Sequence, residues 1–221
     1  MTDIERRYTP GVVEVRVAPS SKRTIGGYAA KHGKPSRNLG GFVEVIAPEA
    51  FRKSRGDGWP DVMARYNHDD NMMLGTTSAR TLRLDLDDTG LTYEVDMPMS
   101  RADVYELVQR GDVSKSSFAF RTMPEGDGWG LTEENFPLRT LRAVQLVDVA
   151  PVNIPAYPDT STGLRSLAEH MHADPDEVRS MAEQGELVRL FKRSDGTPTT
   201  ARFGPAAAVE LLARATPAWE K

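Results

Sequence analysis

The chain has 221 residues, of which 39% are hydrophobic, and a formal net charge of −4. It is long enough to bury one sizeable core, and its charge disfavours nucleic acid or an anionic membrane as the main partner. The absence of cysteine excludes disulfides, thiolate metal sites and cysteine nucleophiles. The charged N-terminus MTDIERRYTP and the lack of a run of roughly 20 apolar residues predict a soluble, unexported protein with one main domain.

Strand-like runs dominate the first two thirds of the chain. Alternating valines in residues 12–17 and the runs GGYAA and GFVEVIA predict the early strands. Pro48 then favours a short helix through about Ser54, because proline suits the first turn of a helix. A strand through Met63 and Tyr66 is expected next.

A β-hairpin is the clearest local pattern. In RTLRLDLDDTGLTYEVDM, apolar residues alternate with polar ones on both sides of the turn sequence DDTG. Ser100 is the predicted N-cap of the following helix, and Gly111 is predicted to end it. This helix leads directly into residues 113–120, VSKSSFAF.

Three serines precede two phenylalanines in VSKSSFAF. In a strand, Ser114 and Ser116 share the face of Phe118 and Phe120, whereas Ser117 lies on the opposite face, which could be open to a substrate. Ser117 is therefore a candidate nucleophile. A serine that only bonds to the backbone of a half-buried strand explains the same pattern, and the residues alone leave both interpretations open.

Four histidines are the candidates for a general base that titrates near neutrality. His32 lies in a basic loop, and His170 and His172 point about 200° apart on a helix, which disfavours a two-histidine metal site. His68 ends an apolar strand, where a side chain is rigidly held and accessible. A metal site of His68 and its two following aspartates is the weaker alternative, because neighbours in an extended chain point to opposite faces.

Asp148 is the only charged residue in the apolar run VQLVDVAPV. A buried carboxylate needs a partner, since leaving it unpaired is costly. A histidine N–H in a Ser-His-Asp arrangement would serve, and so would Arg139 or Arg142. The residues alone favour neither partner.

The character of the chain changes after PDTSTG. Two helical patterns follow from about residue 161, the second with Asp174 as N-cap and Pro175 at the first helical position, and PAAAVELLARA suggests a last helix. We therefore divide the chain into a main domain, residues 1–160, and a helical C-terminal extension, residues 161–221.

Six segments occur in an order that is typical of one family. They are GYAA, GFVEVIAPEAF, NHDDNMMLGTT, TLRLDLDDTGLTYEVDMP, ELVQRGDVSKSSFAF and VQLVDVAPVNIPAYPDT. Together they resemble the prohead (capsid maturation) protease family of tailed bacteriophages, serine peptidases whose fold is similar to that of the herpesvirus capsid protease, assemblin. The resemblance implies a strand-rich α+β fold with a closed β-barrel surrounded by helices. It also places the catalytic histidine at His68, the nucleophile at Ser117 and the acidic third member at Asp148.

The resemblance implies a serine endopeptidase that cleaves the major capsid protein precursor or a scaffold protein, and itself, during prohead maturation. It would act inside the immature head in the cytoplasm of the bacterial host, encoded by a phage or a prophage, without a cofactor or metal and without nucleic acid or membrane as partner. The oxyanion would be stabilised by backbone N–H groups or by a cation. Arg121 is the candidate cation, although it lies about 13 Å from Ser117 along an extended strand. Since assemblin-like enzymes can depend on dimerisation, a homodimer is a hypothesis to test.

Two departures and two alternatives accompany this interpretation. Relatives usually carry glycine at the position of Ala119, and glycine or methionine at that of Ser116. The alternatives are a catalytically inactive structural head protein with the same fold, and a metal-dependent hydrolase that uses His68 and the nearby aspartates.

Overall fold

The structure is a computed structural model that describes residues 3–9, 13–17, 23–153 and 161–193. Strands account for most of its regular elements up to residue 152. In chain order they are β1 (Glu5–Thr9), β2 (Glu14–Val17), β3 (Arg23–Lys31), β4 (Val43–Ile46), β5 (Met63–Arg65), β6 (Met73–Thr76), β7 (Leu82–Leu86), β8 (Gly90–Asp96), β9 (Lys115–Thr122), β10 (Asp127–Leu131), β11 (Pro137–Leu141) and β12 (Val144–Val152).

The described strands form three sheets. The largest has the order β1-β9-β12-β5-β6, and the others have the orders β10-β11-β4 and β2-β3-β8-β7. Within the largest sheet β12 pairs antiparallel with β9 and parallel with β5. The predicted hairpin is confirmed as β7 and β8, which pair antiparallel from Leu82 opposite Val95 to Leu86 opposite Leu91.

The expected closed β-barrel surrounded by helices is wrong for this chain. A barrel requires a hydrogen-bonded ladder that returns from the last strand to the first. Among the described residues, each of the three sheets is open and ends in two edge strands: β1 and β6, β10 and β4, or β2 and β7. The strand-rich α+β character remains, because the sheets pack together through their apolar faces and not through a continuous ladder.

Five α-helices lie in the described part of the chain. They are α1 (Arg52–Gly56), α2 (Ala102–Arg110), α3 (Ser161–Met171), α4 (Pro175–Glu183) and α5 (Val188–Arg193). None of the five has the length and apolar character needed to cross a bilayer. The last helix predicted from the sequence, PAAAVELLARA, lies outside the described residues.

The predicted helix boundaries hold unevenly. Gly111 ends α2 in the left-handed conformation, with φ 86°, and Asp174 caps α4 by accepting from two backbone N–H groups. Ser100 is not the N-cap of α2: Arg101 takes that place, because a short 3₁₀ turn over Met99–Arg101 comes first. The helix expected after Pro48 begins only at Arg52.

Two apolar cores organise these elements. The larger core lies between the sheets and helix α2, and it includes Phe118 and Phe120. In the smaller core, side chains of α3, α4 and α5 pack against Leu39, Phe42 and Trp129. The division at residue 160 stays a prediction, although the three helices share apolar contacts with the strand-rich part.

A buried ionic cluster joins β1 to the three-stranded sheet of β4, β10 and β11. Arg139 is fully buried and pairs with Glu5 at 2.6 Å, Glu44 at 3.1 Å and Asp127 at 2.6 Å, while Arg7 pairs with Glu5 at 2.6 Å and Glu44 at 2.8 Å. Burial alone would raise the pKa of Glu5, but Arg139 and Arg7 outweigh it and hold that pKa below its ordinary value. Burial alone would lower the pKa of Arg139, but the Glu44 and Glu5 carboxylates outweigh it and raise that pKa above its ordinary value. These shifts keep Glu5 and Arg139 ionised, and the ion pairs of the cluster fasten the edge strand β1 to its neighbours.

Replacing Arg139 by leucine should reduce the free energy of unfolding by roughly 3–5 kcal/mol, because it leaves Arg7 as the remaining arginine of the cluster for three carboxylates. The matched control is Arg55→Leu, which also removes one arginine, in a surface pair with Asp85 whose side chains are 54% and 72% exposed; its cost should stay below about 1 kcal/mol. Urea unfolding measures both variants. Equal losses for the two would show that the buried cluster contributes no more than a surface ion pair.

Candidate active site

Strand β9 places two neighbouring serines on opposite faces. Ser116 lies on the face of Phe118 and Phe120, and its hydroxyl is 3.3 Å from the Tyr93 hydroxyl. The two phenylalanine rings stack with centroids 5.2 Å apart inside the larger core. This core packing sets the orientation of β9, so that Ser117 faces away from the aromatic side.

A tight turn after β5 carries His68. The strand ends at Arg65, three residues before His68, which was predicted to end it, and a 3₁₀ turn covers Tyr66–His68. Asn67 and His68 both have left-handed backbone, with φ 53° and 59°. The Asn67 amide oxygen accepts a hydrogen bond of 3.2 Å from the backbone N–H of Asn153, just beyond β12. The turn therefore projects the His68 ring back over the sheet.

Asp148 lies on β12, between the strand that carries Ser117 and the strand that precedes His68. It is opposite Ala119 on β9 and opposite Met63 on β5. A register shift between Leu146 and Asp148 interrupts the regular pairing with β9, and such interruptions redirect side chains locally. Since β12 is central, its carboxylate is within reach of both neighbours.

The three predicted residues meet in one chain of hydrogen bonds. His68 Nδ1 is 2.6 Å from Asp148 Oδ1, and His68 Nε2 is 2.7 Å from Ser117 Oγ. An ionised carboxylate only accepts, so the Nδ1–H tautomer donates to Asp148 and leaves Nε2 free to accept the serine proton. A serine, a histidine and an aspartate in this order have the geometry of an activated nucleophile with its base and orienting acid.

The serine hydroxyl has a second acceptor. Ser117 Oγ is 2.9 Å from the backbone oxygen of Arg7 on β1. A hydroxyl has a single proton, so Ser117 donates either to His68 or to Arg7, but not to both at once.

The site is more enclosed than the sequence suggested. Ser117 and Asp148 are fully buried and His68 is 8% exposed, whereas strand alternation left the Ser117 face available to a substrate. The Ser117 hydroxyl lies between the His68 ring and the backbone oxygen of Arg7 on β1, which pairs alongside β9. A substrate carbonyl can reach Ser117 only after the atoms that cover it have moved.

Arg65 is a site residue that the sequence analysis missed. Its guanidinium contacts Asp148 Oδ2 and Asp70 Oδ1. Arg139, one of the two expected arginine partners, belongs to the ionic cluster near β1 instead. Arg65 is the single cation in the otherwise uncharged run VMARY. This isolated charge in a strand was the signal by which the sequence could have indicated a partner for a buried carboxylate.

The other candidates lie apart from this hydrogen-bonded chain. Arg121 makes no hydrogen bond or ion pair with Ser117, His68 or Asp148 in the part of the chain that the structure describes. No group of three or more His, Asp or Glu side chains is arranged for a metal within the described ranges. Asp69 accepts instead from the backbone N–H of Asn71.

Comparison with known proteins decides the family. The family model for the caudovirus prohead serine protease matches residues 12–173, well over half of the chain. The chain belongs to the caudovirus prohead serine protease family. No curated protein and no solved structure matches it.

Membership makes the chain a serine peptidase, and thus a hydrolase, of the capsid maturation type. The matched range contains His68, Ser117 and Asp148, and it includes the whole of helix α3. The resemblance inferred from the ordered sequence segments is therefore confirmed at the level of the family.

In this prohead serine protease, Asn67 should tolerate glycine better than valine. A β-branched side chain is strained in left-handed backbone, at a cost of about 1–2 kcal/mol, whereas glycine adopts it freely. We expect Asn67→Val to lower stability in urea and to slow the reaction of the site with a fluorophosphonate probe more than Asn67→Gly does. The glycine variant controls for loss of the bond to Asn153, so equal behaviour of the two would contradict a role for the backbone conformation.

Proposed function

We propose that this protein is the serine endopeptidase that cleaves capsid or scaffold precursor segments, and itself, during prohead maturation, through Ser117, His68 and Asp148. The supporting observation is the hydrogen-bonded chain from Ser117 Oγ through the His68 ring to Asp148. The family supplies the class of reaction, and the geometry supports these residues as the ones that perform it.

The chemistry follows from the two sides of the imidazole. His68 Nε2 takes the Ser117 proton as Oγ attacks the scissile carbonyl, and the resulting imidazolium returns that proton to the leaving amine. The acyl-enzyme is then hydrolysed by water, with His68 again as base. Asp148 keeps the ring in the productive tautomer and stabilises the imidazolium on its Nδ1 side.

The oxyanion needs donors that point at the reacting carbonyl. Backbone N–H groups or a cation would supply them. Arg121 lies on the same strand as Ser117 but about 13 Å along it, so it acts in this role only if the site rearranges on binding. The burial of Ser117 already requires a rearrangement for substrate entry.

The major capsid protein precursor and a scaffold protein are the proposed substrates. The proposed place of action is the interior of the immature head, in the host cytoplasm. A homodimer remains a hypothesis, testable by the mass of the purified protein in solution.

Of the two competing functions, metal-dependent hydrolysis is disfavoured by the geometry. Both ring nitrogens of His68 are occupied by Ser117 and Asp148, while Asp70 pairs with Arg65. An inactive structural head protein would keep the same fold, so a measurement of turnover is required to separate it from the protease.

Ser117→Ala should abolish processing when the chain is co-expressed with the capsid precursor, and the variant should itself stay at full length. The matched control is Ser116→Ala, which removes the neighbouring hydroxyl on the aromatic face and should leave processing intact. Gel analysis of the precursor and of the chain gives the result. If Ser117→Ala processes the precursor as well as wild type does, the proposed mechanism is wrong.

A fluorophosphonate probe distinguishes the alternatives within the same experiment. Labelling of wild type that maps to Ser117 and persists in chelator supports the serine mechanism. Loss of processing in chelator would support the metal-dependent hydrolase, and a chain that is neither labelled nor active would support the structural protein.

The C-terminal extension is proposed to recruit the protease to the assembling shell, with its removal by self-cleavage releasing the enzyme. Because α3, α4 and α5 cover Phe42 and Trp129 in the smaller core, the informative truncation removes only residues 194–221. This truncation should keep the fluorophosphonate reaction and reduce incorporation into proheads. Normal incorporation of the truncated chain would contradict recruitment by this segment.

A further inference from the structure

Arg65 lies at the end of β5, three residues before His68, and is only 8% exposed. One nitrogen of its guanidinium contacts the buried Asp148 and the other contacts Asp70, whose side chain is 84% exposed. Arg65 thus bridges the centre of the site and the surface. Neither the family match nor the proposed reaction assigns it a role.

The second oxygen of Asp148 explains what Arg65 contributes. Asp148 is fully buried, and His68 occupies Oδ1 only. A carboxylate has two oxygens that both accept hydrogen bonds, and a buried one without a cation is costly and favours its neutral form. Arg65 supplies a permanent cation on Oδ2, because an arginine does not lose its proton in proteins.

The two donors reach Asp148 from the same short segment. Met63 and Ala64 pair in parallel register with Asp148 and Val149, so the end of β5 lies directly beside the carboxylate. Beyond Arg65 the left-handed residues Asn67 and His68 turn the chain back. Arg65 therefore reaches Oδ2 from the strand, and His68 reaches Oδ1 from the turn.

We propose that Arg65 is a positioning residue, which clamps the Asp148 carboxylate in the orientation that holds the His68 ring toward Ser117. The proposal rests on the proposed function for its consequence in catalysis. Arg65 touches neither the reacting atoms nor, in this arrangement, the ring itself. Its contribution is orientation, since a fixed cation next to Asp148 does not favour a second positive charge on the imidazole.

The planar fork of arginine suits this position. Two nitrogens of one guanidinium point at two different carboxylates, Asp148 and Asp70. A lysine keeps the charge but has a single flexible ammonium, so it does not reproduce a fork. Arg65→Lys thus separates the geometry of the clamp from its charge.

The experiment compares the kinetics of a fluorophosphonate probe with Arg65→Met, Arg65→Lys and the control Asp70→Asn. Because small misplacement of a catalytic group can cost about 100-fold, we expect the maximal labelling rate to fall about 10- to 100-fold in Arg65→Met with unchanged probe affinity. Arg65→Lys should restore part of the loss. Asp70→Asn, which breaks only the exposed pair, should change the rate by no more than about twofold.

A double variant tests whether Arg65 acts through Asp148. If it does, Arg65→Met combined with Asp148→Asn should label no more slowly than Asp148→Asn alone, since residues that act as a unit are non-additive. Multiplied losses would overturn the proposal, and so would wild-type labelling rates in both Arg65→Met and Arg65→Lys. If Arg65→Met does not fold, the labelling rate of Arg65→Lys alone tests the proposal, because this variant retains the cation. A wild-type rate in Arg65→Lys would then overturn it.

A measurement independent of activity keeps this proposal distinct from the proposed function. The proton on His68 Nδ1 gives a low-field NMR resonance when it is held by the carboxylate, and we expect Arg65→Lys to shift or broaden it while Asp70→Asn does not. An unchanged resonance would overturn the clamp. A wild type that is not labelled at Ser117, but whose resonance responds to Arg65→Lys, would refute the protease mechanism and retain the clamp.

Discussion

The buried carboxylate of Asp148 is the constraint on which the site depends. A charge that is fully removed from water has to be paired, and Asp148 lies on the central strand β12, between β9 and β5. Residues from both neighbouring strands and their turns can therefore approach its carboxylate. Arg65 at the end of β5 and His68 in the turn that follows contact its two oxygens, while β9 presents Ser117 to the far side of the imidazole.

The sheet that carries this arrangement is open, and one of its two edge strands, β1, lies next to the site. The largest sheet ends at β1, and β1 is held by the buried charges of Glu5 and Arg7 against Arg139 and Glu44. The backbone of the same strand approaches the Ser117 hydroxyl. The strand that the ionic cluster fastens is thus the same strand that lies beside Ser117.

Local patterns predicted much of the outcome. Strand alternation alone separated Ser117 from Ser116, since the two phenylalanines had to face the core, and the structure places the serines on opposite faces. The hairpin and the Asp174 cap followed from equally local rules. Barrel closure was wrong because it was implied by resemblance, and hydrogen bonding between distant edge strands has no signature in a short stretch of sequence.

By itself, the sequence determined the candidate residues, the alternation of β9 and the family resemblance, because these depend on residue type and on neighbours a few positions apart. Tertiary structure alone decided which arginine meets Asp148, how deeply Ser117 is buried and that the sheets stay open. These outcomes depend on contacts between residues far apart in the chain: Arg65 and Asp148 are separated by 83 positions. The apolar pattern of each strand indicates which face turns inward, but only the packed sheets determine what that face meets.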